Sequence, residues 1–480
     1  YPGPVFEKLD IDVEDEYRYL VSKVPRVSER MISRLPFDPI EVDLLMSGLS
    51  DYLVNNGYPF AKVYLEIDKI EEGITPAKLN IVPGPFITIK EVHLKGEAKV
   101  SKKFITNNIS IKEGDPYNER LLRKIPARIE QIQFLSELKP HEILFTPEGA
   151  EVFLYLKSNP VSLINGVLGI QPDPVTQTNV ITGDVRLKLQ NVLQRGELLD
   201  LNWRSLQPGT QDLNILLNFP FLFNSSFGID GGFKLYKRDS TFLTTNANIG
   251  VQYFLQGGNY VKVFYEADNS NLLSGAASLP NSSFSSTSTN RYGLGIFRRQ
   301  LDYLPNPSRG FRISADAAMG RRTSRLPESD SSVISTTFTG RFEAEWFMPV
   351  TRRHVIRLAN VTRTYYAPEV YTNELFRFGG LQMQRGFNEE ELLASTLSTF
   401  TAEYRFLADK NSHVFAFFDQ TIYENTAGNY LQDTPFGFGA GFSFGTNLGI
   451  FSISYALGKQ FDNPILLREG KVHFGYIAYF

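Results

Sequence analysis

The feature that most constrains this chain is a run of alternating segments that begins near residue 161 and continues to residue 480. In residues 341–348 every second side chain is apolar, and charged side chains stand between most of them. The apolar set is Phe342, Ala344, Trp346 and Met348. Because successive side chains of a strand point to opposite faces, each strand has one apolar face and one charged face. Charges are costly in a dry sandwich core but suit a water-filled lumen, so the pattern predicts a transmembrane β-barrel.

The spacing of these segments predicts about 16 strands, an even number that is typical of a single-chain bacterial barrel. Their starts lie near residues 163, 178, 196, 211, 226, 242, 259, 290, 309, 333, 354, 396, 412, 435, 449 and 472. Some connections are short, whereas 270–290 and 368–394 are long loops. The predicted fold class is a membrane all-β protein, with an antiparallel barrel over residues 161–480.

Composition excludes several function classes. The net charge of −3 over 480 residues indicates no nucleic-acid partner. Cysteine is absent, which excludes a disulfide scaffold, thiolate metal sites and a cysteine nucleophile. No run of about 18 apolar residues occurs, so no transmembrane helix is expected. The chain opens on Tyr1 without a charged-then-apolar leader, and we expect a mature or trimmed chain, or one that never had a signal peptide.

The histidines and the glycine-rich stretches of the chain bear on whether it has a catalytic or metal site. The five histidines, His93, His141, His354, His413 and His473, show no metal-ligand spacing. The glycine-rich stretches 228–232 and 437–445 have the setting of strand glycines and do not open helices as phosphate-binding loops do. We therefore expect no enzyme activity, no catalytic residue, no metal and no cofactor.

Two mixed α and β units precede the barrel, at residues 1–84 and 85–160. The second has the order strand, helix, helix, strand, strand, and Pro126 is expected to kink or break its second helix. Its predicted elements are strands at 86–94, 141–145 and 151–156 and helices at 101–108 and 117–137. The first unit has a helical piece from 16 to 24 and onward past 28, a helix from Asp38 and two strands, but no clear first strand. An unrelated small α+β domain is the alternative.

One loop motif stands out within the barrel pattern. It lies in residues 376–387, between two predicted strands. Its members are Gly379, Gly380, Arg385, Gly386 and Phe387. Taken alone, such a motif indicates an ordinary surface turn, because glycine permits a tight fold of the chain.

The barrel context supplies partners for this motif. Alternation turns Glu403 and Asp419 toward the lumen, where they would clamp the guanidinium of Arg385 by charge-assisted hydrogen bonds. Phe387 is expected to pack near Phe417. The alternative is that both carboxylates only line a wet pore.

Together these features resemble the BamA, TamA and two-partner-secretion superfamily of POTRA-domain outer-membrane β-barrel proteins. The unit 85–160 resembles a POTRA domain. Residues 384–387 resemble the family's loop motif of an aliphatic residue followed by Arg-Gly-Phe or Arg-Gly-Tyr, with Gln384 in the aliphatic place. Residues 306–311 resemble the family's Asn-Pro-x-Arg-Gly turn, and 415–419 resemble its Phe-x-Asp strand. Because two POTRA units are fewer than BamA usually carries, the resemblance is to a TamA-like or trimmed BamA-like member.

The resemblance implies a factor that inserts proteins into the outer membrane or moves polypeptides across it. It places the barrel in the outer membrane of a Gram-negative-type bacterium and the POTRA domains in the periplasm. The implied partners are unfolded outer-membrane or secreted client polypeptides, accessory proteins of the periplasm or outer membrane, and the lipid bilayer. POTRA domains would bind clients by β-augmentation.

The barrel would open laterally at the seam between its first and last strands, braced by the inward-folded Arg-Gly-Phe loop. The expected seam residues are Leu163, Gly166, Gly169, His473, Gly475 and Phe480. Glycines weaken strand packing there. Two alternatives remain: a two-partner secretion transporter, whose N-terminal plug helix would lie in residues 1–34, and a passive pore or scaffold for periplasmic partners.

Overall fold

The computed structural model describes residues 6–24, 35–36, 38–67, 73–172, 179–205, 209–274, 284–304, 306–325, 331–381, 383–446 and 449–477. The chain forms two compact units. The first comprises Tyr1–Ala98, Ile109–Ile129 and Glu137–Leu156, and the second comprises Lys99–Asn108, Glu130–Ser136 and Lys157–Phe480. Among the described helices, none is long and apolar enough to cross a membrane.

The first α+β domain is a four-stranded sheet packed against a helix. Its elements are β1 Phe6–Val13, α1 Arg18–Val21, β2 Leu35–Pro36, α2 Pro39–Val54, β3 Lys62–Glu66 and β4 Gly73–Val82. The strand order is β2-β1-β4-β3. Asp38 caps α2 by accepting a hydrogen bond from Ile40 N at 2.9 Å. Leu45, Leu49 and Leu53 recur every four residues on the buried face of α2 and form the core.

β1 is the first strand of this domain, and the sequence pattern did not reveal it. It runs parallel to β4, from Leu9 opposite Thr75 to Val13 opposite Leu79, and Leu9, Ile11 and Val13 are buried in the core. The plug-helix alternative is therefore wrong for residues 6–13, which belong to a sheet. The helical piece predicted from residue 16 reduces to a 3₁₀ turn and α1, and its continuation past residue 24 lies outside the described residues.

The second α+β domain is a three-stranded sheet with short helices. Its elements are β5 Ile89–Gly96, α3 Lys102–Ile109, α4 Glu119–Arg123, α5 Ile125–Glu130, β6 Leu135–Thr146 and β7 Gly149–Ser158, and the strand order is β5-β7-β6. The long helix expected over 117–137 is broken at Lys124, because Pro126 lacks the N–H that a continuous helix needs there. Since α5 ends at Glu130, β6 begins six residues earlier than expected.

The rest of the chain is a closed antiparallel barrel of sixteen long strands in chain order, with the last strand beside the first. The strands of this region are β8 Leu163–Pro172, β9 Asn179–Gln190, β10 Leu198–Ser205, β11 Gln211–Phe219, β12 Phe227–Arg238, β13 Phe242–Phe254, β14 Tyr260–Leu272, β15 Thr287–Leu301, β16 Gly310–Arg325, β17 Ser332–Pro349, β18 His354–Tyr366, β19 Phe376–Phe378, β20 Leu392–Ala394, β21 Thr396–Leu407, β22 His413–Asn425, β23 Leu431–Asp433, β24 Phe436–Thr446, β25 Gly449–Lys459 and β26 Lys471–Ile477. β19 and β20 form a separate hairpin, and β23 is a short addition beside β22. The predicted barrel of about 16 strands is confirmed.

The two faces of the barrel wall differ as the alternation predicts. On β15 the outward side chains Tyr292 and Leu294 are 71% and 67% exposed. Arg291, the residue before Tyr292, points the other way, into the lumen, and is 4% exposed. A broad exposed apolar belt of this kind is stable where lipid covers it. The lumen face instead holds charged side chains that pair with one another.

Candidate functional site

The site is built by the connection between β18 and β21, residues 367–395, which we call the lumen loop. The β19–β20 hairpin lies within it. Beyond β19, Gly379, Gly380 and Gly386 have φ angles between 85° and 123°, which residues with a Cβ rarely adopt. These turns carry the segment between them into the barrel, where Arg385 is only 7% exposed.

The guanidinium of Arg385 is clamped by two carboxylates from neighbouring strands. Its Nε and Nη2 donate to the two oxygens of Asp419 on β22 at 2.7 and 2.8 Å, which is a bidentate pair. Its Nη1 donates to Glu403 Oε2 on β21 at 2.7 Å. The backbone N–H of Arg385 also donates to Asp419, at 3.2 Å. We call these three residues the Arg385 clamp; all are buried, so water screens their attraction little.

Phe417 forms the floor of the clamp. The guanidinium carbon of Arg385 lies 3.4 Å from the centroid of the Phe417 ring, a cation–π contact. The expected packing of Phe387 near Phe417 is not what the structure shows, since the apolar cluster that contains Phe387 does not include Phe417. Phe387 packs instead in an apolar cluster with the hairpin and the start of β21, whose other buried members are Phe378, Leu392, Ala394, Leu397 and Tyr423.

A wider ion-pair network supports Glu403. Arg405 Nε donates to Glu403 Oε1 at 2.8 Å, and Arg357 Nη1 lies 3.7 Å from Oε2. Arg357 and Arg312 both pair with Glu345, at 2.6 and 2.9 Å. Counting the Arg385 clamp, four guanidiniums face three carboxylates, which leaves the network with a net charge of +1. Each of the three carboxylates therefore has at least one guanidinium partner, and the network runs along the lumen face of the wall from β16 to β22.

Gln384 stands where the resemblance places an aliphatic residue, and both ends of its amide are used. Its Nε2 donates to the backbone oxygen of Asp419 at 3.3 Å, and its Oε1 accepts from the hydroxyl of Thr421. Thr421 in turn bonds the hydroxyl of Thr399 at 2.7 Å. Because Gln384 is fully buried, these partners are what make a polar side chain tolerable there.

Close approach of the lumen loop to the wall depends on glycines in β24 and β25. A Cβ on Gly437 would lie 1.9 Å from the carbonyl oxygen of Arg385, and a Cβ on Gly458 would lie 2.6 Å from that of Gly386. Any larger residue would displace the backbone of the loop. The glycine-rich character of residues 437–445, visible in the sequence, thus has a packing reason that the sequence did not reveal.

The lumen loop also reaches the last strand. The backbone N–H of Gly386 donates to His473 Nε2 at 3.1 Å, and a Cβ on Gly475 would lie 2.9 Å from Leu381 Cδ2. His473 and Gly475 were both predicted for the seam. They lie two positions apart on β26 and so share one face, from which the sequence could have predicted that both face the lumen. The remaining predicted seam residues on β8 are Leu163, Gly166 and Gly169, and β8 lies beside β26; Phe480 lies outside the described residues.

The first half of the lumen loop has a separate anchor that sequence reasoning missed. Glu374 accepts from Arg322 Nη1 at 2.7 Å and from the Tyr365 hydroxyl at 2.8 Å. The adjacent Asn373 donates to Ser270 Oγ at 2.7 Å and is buried. No local pattern marks this pair, since its partners come from β14, β16 and β18.

Comparison with known proteins bears on the fold. Residues 87–151 match the POTRA family model, described as a surface antigen variable number repeat. No curated protein matches the chain. Among solved structures, CdiB from Acinetobacter baumannii is 14% identical over 99% of this chain and 90% of that chain, with a TM-score of 0.58. CdiB from Escherichia coli is 14% identical over 98% and 90%, with a TM-score of 0.57. BamA from Haemophilus ducreyi lacking POTRA domains 1–3 is 15% identical over 98% of both chains, with a TM-score of 0.48.

The CdiB likeness extends over both α+β domains and the barrel. The chain has a POTRA-plus-barrel fold, and it is similar in fold to the two CdiB structures over nearly its whole length.

The matched POTRA domain presents β6 as an outer strand of its sheet. Leu138 and Leu144 on β6 are about half exposed, so this strand offers apolar side chains beside a free edge. His141, also on β6, is half-buried, and burial lowers the pKa of its imidazole below the usual 6.5 even though Glu119 acts in the opposite direction. Protonation of His141 is therefore unfavourable in the folded domain.

Proposed function

We propose that this chain is an outer-membrane protein that receives unfolded polypeptide clients and inserts them into the membrane at the seam between β8 and β26. The POTRA-plus-barrel fold over nearly the whole chain supports this assignment. The exposed apolar belt supports a barrel that lies in lipid, with the POTRA domains in the periplasm.

Client capture is assigned to the free edge of β6. An extended polypeptide joins such an edge through backbone hydrogen bonds, which require no particular client sequence. The exposed Leu138 and Leu144 provide shallow apolar contacts for alternate side chains of the added strand.

The main support for opening at the seam is the position of the contacts between the lumen loop and the barrel wall. The first half of the loop is anchored to β14, β16 and β18, but its tip, residues 384–387, reaches β21 and β22 through the Arg385 clamp, β24 and β25 through Gly437 and Gly458, and β26 through His473. The strands that the tip contacts all lie on the C-terminal side of the seam. This part of the loop thus stiffens the C-terminal wall as far as β26, and none of these contacts crosses the seam to β8.

The test uses the chain in lipid vesicles with an unfolded small barrel protein as client. Because the chain has no cysteine, a pair introduced at Gly169 on β8 and at scanned positions in 471–477 on β26 creates a single seam disulfide. A matched control joins β24 to β25 through Ser443→Cys and Ser452→Cys, whose hydroxyls lie 2.9 Å apart. The seam disulfide should stop client insertion until reductant is added, and the control disulfide should not.

Other results would assign the chain differently. If client passage continues with the seam closed, the route is the lumen, as in a secretion transporter. If the vesicles conduct ions but the chain neither binds clients nor speeds their insertion, it is a passive pore and the proposal is wrong.

The proposal assigns no enzyme activity to the chain. Ser443 does stand in a Gly-x-Ser-x-Gly sequence, Gly441 to Gly445, but a nucleophile of that kind needs a sharp turn from a strand into a helix. Ser443 lies within β24, and its hydroxyl donates to Ser452 across the sheet. Ser443 and Ser452 thus have the geometry of a cross-strand pair.

A further inference from the structure

The outer face of the barrel carries a deep groove near the end from which the lumen loop leaves. The groove has a volume of about 680 Å³. It crosses from β13 to β17, and its lining includes Ile249, Val263, Leu294, Ala317, Met319 and Phe338. Ala317 forms its floor, opposite Leu294 on β15 and Gly340 on β17, because small side chains there lie between large outward ones. The lining of the groove is almost entirely apolar, which suits an acyl chain.

A second cavity of about 580 Å³ continues from the first and shares Tyr292 and Met319 with it. Its lining combines apolar side chains with a row of polar ones. Asn290, Arg321 and Thr336 stand directly opposite one another on β15, β16 and β17, and all three are exposed on the outer face. The next outward level toward the middle of the wall holds Tyr292, Met319 and Phe338, so the polar row lies immediately above the start of the apolar belt.

The polar row is free to bind. Among the described residues, the guanidinium of Arg321 has no hydrogen bond or ion pair. Tyr265 donates its hydroxyl to Asn290 Oδ1 at 2.5 Å, which holds that amide with its NH₂ group available as a donor. Thr336 adds a hydroxyl. One unpaired cation beside two neutral donors suits a phosphate attached to a sugar, because an Arg fork matches phosphate oxygens and the neutral groups match hydroxyls.

We propose that the two cavities together bind a phosphorylated, acylated glycolipid, with its phosphate on Arg321 and one acyl chain in the groove over Ala317. This inference rests on the proposed location of the barrel in a membrane. A lone cation at a membrane surface would attract any anionic lipid, but a polar row directly beside an apolar groove selects a ligand that contacts both.

The test measures lipid binding to the purified full-length chain by native mass spectrometry, with diphosphorylated lipid A as the probe and phosphatidylglycerol as the comparison. Arg321→Ala should weaken lipid A binding about tenfold or more, since it removes charge-assisted hydrogen bonds. Arg298→Ala is the matched control, because Arg298 is exposed on the same face of the adjacent β15 at the opposite end of the wall. Ala317→Phe keeps the cation but fills the groove, and it should also weaken binding.

Equal binding by Arg321→Ala and the parent chain would overturn the proposal. Equal affinity for phosphatidylglycerol would overturn it as well, because the site would then be a plain anionic-lipid surface. Heat-modifiability on gels shows that each variant is folded. Since no client polypeptide takes part, a negative result here leaves client insertion untouched, and failure of client insertion leaves the lipid measurement standing.

Discussion

The Arg385 clamp makes a quantitative prediction about the stability of the barrel. The perturbation is a double-mutant cycle of Arg385→Ala and Asp419→Ala. Two charge-assisted hydrogen bonds of 2.7 and 2.8 Å join the side chains, and both residues are buried. At about 1.5 kcal/mol for each such bond, the coupling free energy should be about 3 kcal/mol, a change of more than a hundredfold in the unfolding equilibrium.

The other contacts of Arg385 do not enter this coupling. Loss of the Phe417 contact and of the bond to Glu403 occurs in both variants that lack Arg385, so it cancels in the cycle. Glu403 keeps Arg405 and Arg357 as partners in every variant, whereas Arg385→Ala alone leaves Asp419 buried with hydrogen bonds from the Thr401 hydroxyl and the backbone N–H of residue 385. Asp419→Ala alone leaves Arg385 buried with a single carboxylate, and we expect it to cost about 3–5 kcal/mol, the usual cost of breaking a buried ion pair.

The assay is urea unfolding of the barrel from lipid vesicles, followed by tryptophan fluorescence. Arg186 and Asp200 provide a matched control, since they also form an Arg–Asp pair on barrel strands, at 3.0 Å, but are 46% and 23% exposed. Solvent screening should hold their coupling to about 0–1 kcal/mol. The control pair is bidentate as well, so if the two cycles give the same coupling, the argument from burial is refuted.

Two further predictions concern the loop seat and the second POTRA domain. Gly437→Ala should expel the lumen loop and expose it to protease, because the new Cβ would meet the Arg385 carbonyl oxygen at 1.9 Å; Gly231→Ala, whose Cβ meets nothing closer than 3.6 Å, should not. Stability of the POTRA domain should fall as pH drops through about 6.5, because the lowered pKa of His141 means that the unfolded chain binds the proton first. Hydrogen exchange of β5 amides between pH 7.5 and 5.5 measures this loss, and His141→Gln should flatten it; an equal slope in both proteins would exclude His141 as its source.

Local patterns were sufficient for the barrel strands. Alternation in segments such as 341–348 reflects a wall with lipid on one side and a lumen on the other, and this two-sided environment acts at every second residue. The same period turned Glu403 and Asp419 inward and so gave Arg385 its predicted partners. Where one face of a strand is buried or wet and the other apolar, side-chain direction is readable without coordinates.

Features that depend on residues far apart in the chain were not readable. Phe387 packs against the hairpin and Tyr423 in a cluster that leaves out Phe417, and Glu374 is held by Arg322, 52 positions away in the sequence. In the first domain, β1 is too short and too charged to stand out until β4 pairs with it.

The sequence by itself thus determined the class of fold, the strand count and the identity of the Arg385 clamp, because each rests on a repeating period or on the chemistry of single residues. Only the tertiary structure decided how the lumen loop is seated. Its contacts with Gly437, Gly458 and His473 depend on which backbones approach within a few ångströms after the barrel closes, and no local preference of the chain encodes that approach.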